Sequence, residues 1–107
     1  MNCRFVITES AVADIGEIHS YVELHDSPER ADALLDGVEG VIASLAALPE
    51  RGHCPPELLR IGLRDYRELH YKPYRIIYEL HARELIVHCV LDGRRDLQTL
   101  LHQRLVR

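Results

Sequence analysis

Twelve of the thirteen basic residues of this chain are arginines, with Lys72 the one lysine, and most of them fall in the second half of the sequence. Arginine keeps its charge at any working pH and presents a planar fork that holds phosphates and carboxylates by two-point contacts, so it grips anions and does not shuttle protons. Arg60, Arg64, Arg67 and Arg75 lie in a stretch where charged and apolar residues alternate, and Arg94 and Arg95 follow Gly93 where an apolar run gives way to a helical pattern. At such a strand end, backbone donors and guanidinium groups can converge on a phosphate or on a partner's carboxylate. Pairing with a nearby Asp or Glu is the competing use of each arginine.

Seven histidines supply groups that titrate near neutral pH. His88 is the candidate general base, because it sits among apolar residues on the strand that leads to Arg94 and Arg95; a packed, hydrogen-bonded core histidine is the alternative. Tyr66, Tyr71, Tyr74 and Tyr78 gather around one hairpin, where packing against helices or a protein partner is preferred over stacking on bases. No serine stands in a nucleophile elbow and no glycine loop cradles a phosphate, so an independent hydrolase is not expected. His53-Cys54 and His88-Cys89 are adjacent pairs whose side chains would diverge on a strand, and no second pair has ligand spacing; no metal and no cofactor are expected. Cys3, Cys54 and Cys89, odd in number and without a C-x-x-C spacing, read as reduced thiols.

These side chains need a scaffold, and the hydrophobic periodicity supplies one. Cys3 to Ile7 reads as a first strand, and Thr8, Glu9 and Ser10 offer caps for a helix with Ala11, Ile15, Ile18 and Val22 on one face, ending near His25-Asp26. Ser27 and Pro28 open a second helix, whose stripe Ala31, Leu34, Leu35, Val38, Val41, Ile42, Leu45 and Leu48 runs to Pro49. Pro49 to Glu57 is a loop. Then the period becomes two: Leu59, Ile61 and Leu63 alternate with Arg60, Gly62 and Arg64, and extended chain continues from Tyr66 to Tyr71. Lys72-Pro73 turns into a strand from Tyr74 to His81, and Leu85 to Leu91, almost wholly apolar, reads as a central strand. Asp96 caps a last helix with Leu97, Leu100, Leu101 and Leu105 on one face. The order β-α-α-β-β-β-α predicts an α+β fold: an N-terminal strand, an antiparallel helical hairpin packed on a mainly antiparallel four-stranded sheet, and a C-terminal helix.

At 107 residues and 47% hydrophobic, the chain is read as a single domain spanning 1–107. Its net charge of −4 argues against a polycation that wraps nucleic acid. That average hides a split: residues 1–59 hold three basic against eleven acidic residues, net −8, and residues 60–107 hold ten against six, net +4. No apolar run is long enough to span a bilayer, and Met-Asn-Cys-Arg-Phe lacks the apolar core of a secretory signal, so a cytoplasmic protein without membrane contact is expected.

The order of elements, the segment Gly62-Leu63-Arg64 leading to Tyr74-Arg75-Ile76-Ile77-Tyr78-Glu79, and the ending Val90-Leu91-Asp92-Gly93-Arg94-Arg95-Asp96 before a leucine-rich helix resemble the ParE branch of the RelE/ParE toxin superfamily over essentially the whole chain. The resemblance implies the toxin of a bacterial type II toxin–antitoxin pair, often involved in plasmid stabilisation and growth regulation, neutralised by a cognate antitoxin. ParE-like members poison DNA gyrase and have no agreed catalytic set, which makes gyrase inhibition the expected activity. RelE-like members are ribosome-dependent mRNA endoribonucleases; under that alternative Arg75, His88 and Arg94 are the catalytic candidates. An inactive toxin-like binding module is the third possibility. For the antitoxin or target, the expected contacts are Arg60, Arg64, Arg75, Arg94 and Arg95, with a sheet edge open to an added segment and to a homodimer or a heterotetramer with antitoxin.

Overall fold

The computed structural model describes residues 4–106; Cys3, expected at the head of the first strand, lies outside them. Strand β1 (Arg4–Ile7) leads to Thr8, whose side chain accepts a hydrogen bond from the Ala11 N–H (3.1 Å) and so caps α1 (Glu9–His25). Ser27 repeats the device at α2 (Pro28–Ser44), accepting from the Arg30 N–H at 3.1 Å with Pro28 in the first turn. The short helix α3 (Pro56–Leu59) precedes β2 (Tyr66–Tyr71), β3 (Tyr74–His81), β4 (Glu84–Asp92) and α4 (Leu97–Leu105), the last capped by Asp96. The sheet order is β1-β4-β3-β2, with β1 parallel to β4 and the remaining pairs antiparallel, so β4 is the interior strand its apolar run predicted.

One face of the sheet presents Tyr74, Ile76, Tyr78, Leu85, Val87 and Val90 to the hairpin, which buries Ala11, Val38, Ile42 and Leu45 against them. The opposite face presents Ile77, Cys89 and Leu91 to Leu58 of α3 and to Leu97 and Leu101 of α4. Each fully buried Leu or Ile stabilises the fold by about 1.5–3 kcal/mol relative to leaving it in water. A bulge lets β4 serve both layers. Ile77 pairs with Cys89 and Tyr78 with Val87, which leaves His88 as the extra residue and brings both Val87 and Val90 to the hairpin side.

Two segments depart from their expected form. The second helix was expected to reach Pro49, yet α2 ends at Ser44: Leu45 and Ala46 tighten to bonds three residues back, on Ile42 and Ala43. Leu48 is exposed as a result, and the chain turns early because Tyr78 donates from its hydroxyl to the Pro49 carbonyl (2.8 Å) and holds that residue over the sheet. The strand expected over residues 59–64 is instead α3 and its exit. Pro56 starts the turn, Gly62 takes a left-handed φ of 81°, and the Leu63 N–H reaches back to the Leu58 carbonyl at 2.9 Å while that of Gly62 reaches Leu59 at 3.0 Å. This is a Schellman ending, completed by Leu58 and Leu63 packing in the same apolar cluster. Leu59 and Ile61 are left exposed.

Candidate functional site

The arginines singled out in the sequence part company in the structure. Arg75 leaves β3 on the α3/α4 side and its fork is filled: Nη1 and Nη2 each donate to Glu57 at 2.7 Å, and Nε and Nη2 donate to Glu68. Glu68 is only 1% exposed. The two carboxylates raise the Arg75 pKa further, and the Arg75 hydrogen bonds hold the Glu57 carboxyl below its usual range. The expectation of a solvent-facing anion grip at Arg75 is therefore replaced by an internal clamp joining α3, β2 and β3. Arg67 is similarly occupied, donating to the Glu50 and Gly52 carbonyls at 3.1 and 2.8 Å.

Arg60, Arg64, Arg94 and Arg95 remain outward. Arg60, the residue after α3, donates to the Gln98 side chain at 3.2 Å, and Gln98 in turn holds the Glu57 carbonyl at 2.9 Å, so this arginine stands where α3 meets α4. Arg64 is exposed in the loop before β2. Arg94 folds back on Asp92, with Nε and Nη2 at 3.0 and 2.7 Å from its oxygens, and this pairing lowers the Asp92 pKa. Arg95 is exposed beside it. Arg94 and Arg95 rim a groove of about 380 Å³ between α1 and the ends of β3 and β4, floored by Ile18, Tyr74, Val90 and Leu91 and edged by Asp14 and Glu17. Tyr21, 63% exposed, stands at the α1 lip, and Leu24, 81% exposed, lies one turn further along the helix.

His88 is half-buried at the bulge. Its Nε2 lies 3.0 Å from Glu79 Oε1, and its ring meets Tyr66 edge-on at 5.5 Å. The bulge also leaves backbone groups of β4 beyond the end of β1, and these are met from two helices. Asp14 of α1 accepts from the Val90 N–H at 3.0 Å and pairs with Arg104 of α4 at 3.0 and 3.1 Å; Arg104 also donates to the His88 carbonyl at 3.0 Å. Burial pushes the neighbouring Cys89 thiol up to about 11, so it is an inert core group. The nuclease candidates do not converge: Arg75 is clamped, His88 is tied to Glu79, and Arg94 lies beyond the far end of β4, roughly 13 Å of strand from His88 to Asp92.

Sequence reasoning missed two groups. The Asp14–Arg104 pair joins residues 90 positions apart and carries no local signal. His53, Glu68 and His70 bring three potential metal-ligand atoms within 4.8 Å of one another. The alternation of β2 could have placed Glu68 and His70 on one face, whereas the approach of His53 depends on a long-range bridge.

The profile of the family described as "ParE toxin of type II toxin-antitoxin system, parDE" matches residues 5–97. Toxin ParE3 of Caulobacter vibrioides is 28% identical over 101 residues, covering 94% of this chain and 97% of that protein. The chromosomal ParDE toxin–antitoxin system from P. aeruginosa contains a chain that superposes with a TM-score of 0.71 at 16% identity, over 84% of this chain and 95% of that one. A chain of the RelBE2 toxin–antitoxin complex from Mycobacterium tuberculosis superposes at 0.59 and 19% identity, over 86% and 99% respectively. Among the described residues no helix is long and apolar enough to cross a membrane.

Proposed function

Because the chain belongs to the ParE toxin family of type II toxin–antitoxin systems, we propose that it arrests growth by binding DNA gyrase and that a cognate antitoxin neutralises it by direct binding. The observation that carries this choice over RNA cleavage is the clamping of Arg75 by Glu57 and Glu68. A nuclease of this type needs cations free to meet the strained phosphate beside a base, and the candidate trio supplies neither a free Arg75 nor a common point of approach. The protein acts as a binder, in the cytoplasm, with Arg60, Arg64, Arg94 and Arg95 as its contact residues, while Arg75 is held within the fold by Glu57 and Glu68.

The antitoxin takes the groove between α1 and the β4 end. Its apolar floor and the exposed Tyr21 and Leu24 suit the apolar face of an inserted segment, and Arg94 and Arg95 suit that segment's carboxylates. Arg94 can exchange Asp92 for a partner's carboxylate at little cost, because their pair is exposed on the Arg94 side. The outer edge of β1 leaves room for a homodimer or for a heterotetramer with antitoxin.

Purified protein assayed against gyrase supercoiling, alongside a ribosome-dependent messenger cleavage assay, tests the reading. Inhibition of supercoiling without cleavage is the expected result. Cleavage with gyrase unaffected would overturn it in favour of the RelE-like activity. Unimpaired growth of a bacterial host on induction, with soluble protein present, would instead assign an inactive binding module.

A further inference from the structure

The loop carrying Gly52 and His53 lies against the outer edge of β2, where His53 and Glu68 exchange both backbone hydrogen bonds, at 3.2 and 2.7 Å. This bridge brings the His53 imidazole to the side of β2 from which Glu68 and His70, two residues apart, both project. His53 Nε2 stands 3.0 Å from Glu68 Oε2, and His70 Nε2 stands 3.3 Å from Glu68 Oε1. The two rings meet edge-on with centroids 5.6 Å apart. Arg75 bonds both oxygens of the Glu68 carboxylate, fixing its orientation while the two imidazoles approach the same oxygens. We propose that His53, Glu68 and His70 bind a divalent transition-metal ion of the zinc class.

Three physical points carry this. The first is distance: zinc bonds of about 2.0–2.1 Å to nitrogen and oxygen set tetrahedral ligands about 3.3 Å apart. The His53 and His70 nitrogens stand 3.0 and 3.3 Å from the two oxygens of the Glu68 carboxylate, close to that spacing, and the three ligand atoms all lie within 4.8 Å of one another. The second is charge. With both imidazoles neutral, Glu57, Glu68 and Arg75 together carry one net negative charge in a largely buried cluster, which a divalent cation offsets while the imidazoles stay in the form that ligates. The third is donor type: two imidazoles and one carboxylate select zinc and its late first-row neighbours over magnesium or calcium, which take oxygen ligands. The histidine side chains are 62% and 48% exposed, so the ion has an entry path and a fourth position open to water or to a ligand from a bound protein. Orientation of a ligating carboxylate by an outer hydrogen-bond partner is the role Arg75 plays here. Bound metal would staple the loop at His53 to β2.

The test is titration calorimetry of the purified 107-residue chain with zinc chloride and, separately, magnesium chloride near neutral pH, together with thermal unfolding in each. Zinc should bind at one ion per chain and raise the unfolding midpoint, and magnesium should do neither. His53→Gln and His70→Gln, which keep a hydrogen-bonding side chain on Glu68, should retain the native circular dichroism and weaken zinc at least about tenfold, and His102→Gln should leave binding unchanged. Full zinc affinity in the His53→Gln/His70→Gln double variant would move the ion to other groups, such as Cys54, and overturn the proposal. Absence of zinc binding to the wild type, with the two variants altering only unmetallated stability, would reduce the cluster to ion pairing and overturn it equally.

Discussion

Arg75 turns the sheet's positive charge inward. Its guanidinium satisfies Glu68, which has almost no contact with solvent, and Glu57, whose side chain is 17% exposed. Removing one partner of such a cluster leaves a buried charge without compensation, and Arg75→Ala should cost about 3 kcal/mol of stability, measured as a lower urea midpoint at unchanged slope. The same variant reports on pH. Since the folded Glu57 carboxyl is held below its ordinary value near 4.3, its contribution is present above that value and fades as pH falls through the folded one. The acid limb of the stability curve should therefore flatten in Arg75→Ala; an unaltered limb would show that the pair contributes nothing there. Cys89 has the opposite sign. Its folded pKa is raised to about 11 by burial, with Asp14 adding to the rise and Arg104 opposing it, so its contribution is complete below the ordinary thiol value of about 8.5 and is lost as pH climbs toward 11. At mildly alkaline pH Cys89 should resist iodoacetamide in the folded chain and react after denaturation, as peptide mapping would show; equal labelling of both states would contradict this.

Elements were legible in proportion to how local their determinants are. The caps Thr8, Ser27 and Asp96 act within three residues of themselves, and the apolar run of β4 needs burial on both sides, so these features could be read directly. Residues 56–64 carried two competing signals. Leu59, Ile61 and Leu63 alternate like a strand, whereas Pro56 and Gly62 mark the first turn and the left-handed exit of a helix; the proline and glycine prevail because Leu58 and Leu63 then reach one cluster together. The path of residues 49–53 was not legible at all, because it is set by Tyr78, Arg67 and Glu68 from the sheet. The candidate site divides in the same way: the sequence grouped Arg75 with Arg60, Arg64, Arg94 and Arg95, because the partners that occupy Arg75 and Arg67 come from distant segments. Gly52 is the residue this path demands. A Cβ there would stand 2.6 Å from the Glu68 carbonyl oxygen and from the Tyr78 hydroxyl, and backbone blocks one of those directions. Gly52→Ala should push the loop off β2, break the Gly52 N–H bond to Tyr78 (3.0 Å) and cost about 1–3 kcal/mol, with faster amide exchange at His53 and Glu68. Wild-type exchange at both amides would show that the sheet edge yields instead.

Over the whole molecule, the contrast between an acidic first half and a basic second half does not translate into an acidic layer facing a basic one. Arg104 crosses to Asp14 of α1, Arg75 and Arg67 are used within the fold, and Arg94 is paired at the strand end, so the outward positive charge is concentrated at few positions, Arg60, Arg64 and Arg95 among them. A partner therefore meets discrete cationic points, Arg94 and Arg95 at the rim of the groove and Arg60 and Arg64 outside its lining. Exposed charges of this kind govern encounter and salt dependence more than final contact energy, because solvent and ions screen them over about 10 Å at moderate ionic strength. Arg64→Glu combined with Arg94→Glu should weaken the complex with the cognate antitoxin chiefly through a slower association rate, and should reduce the loss of affinity on raising salt. Both positions are exposed, so the double variant should keep the native fold and unfold cooperatively, as far-UV circular dichroism and a urea melt would show. Surface plasmon resonance at low and high salt separates the outcomes: affinity unchanged at both would remove these arginines from the interface, whereas an altered dissociation rate with wild-type salt dependence would place the binding energy on the apolar floor of Ile18, Tyr74 and Val90 instead.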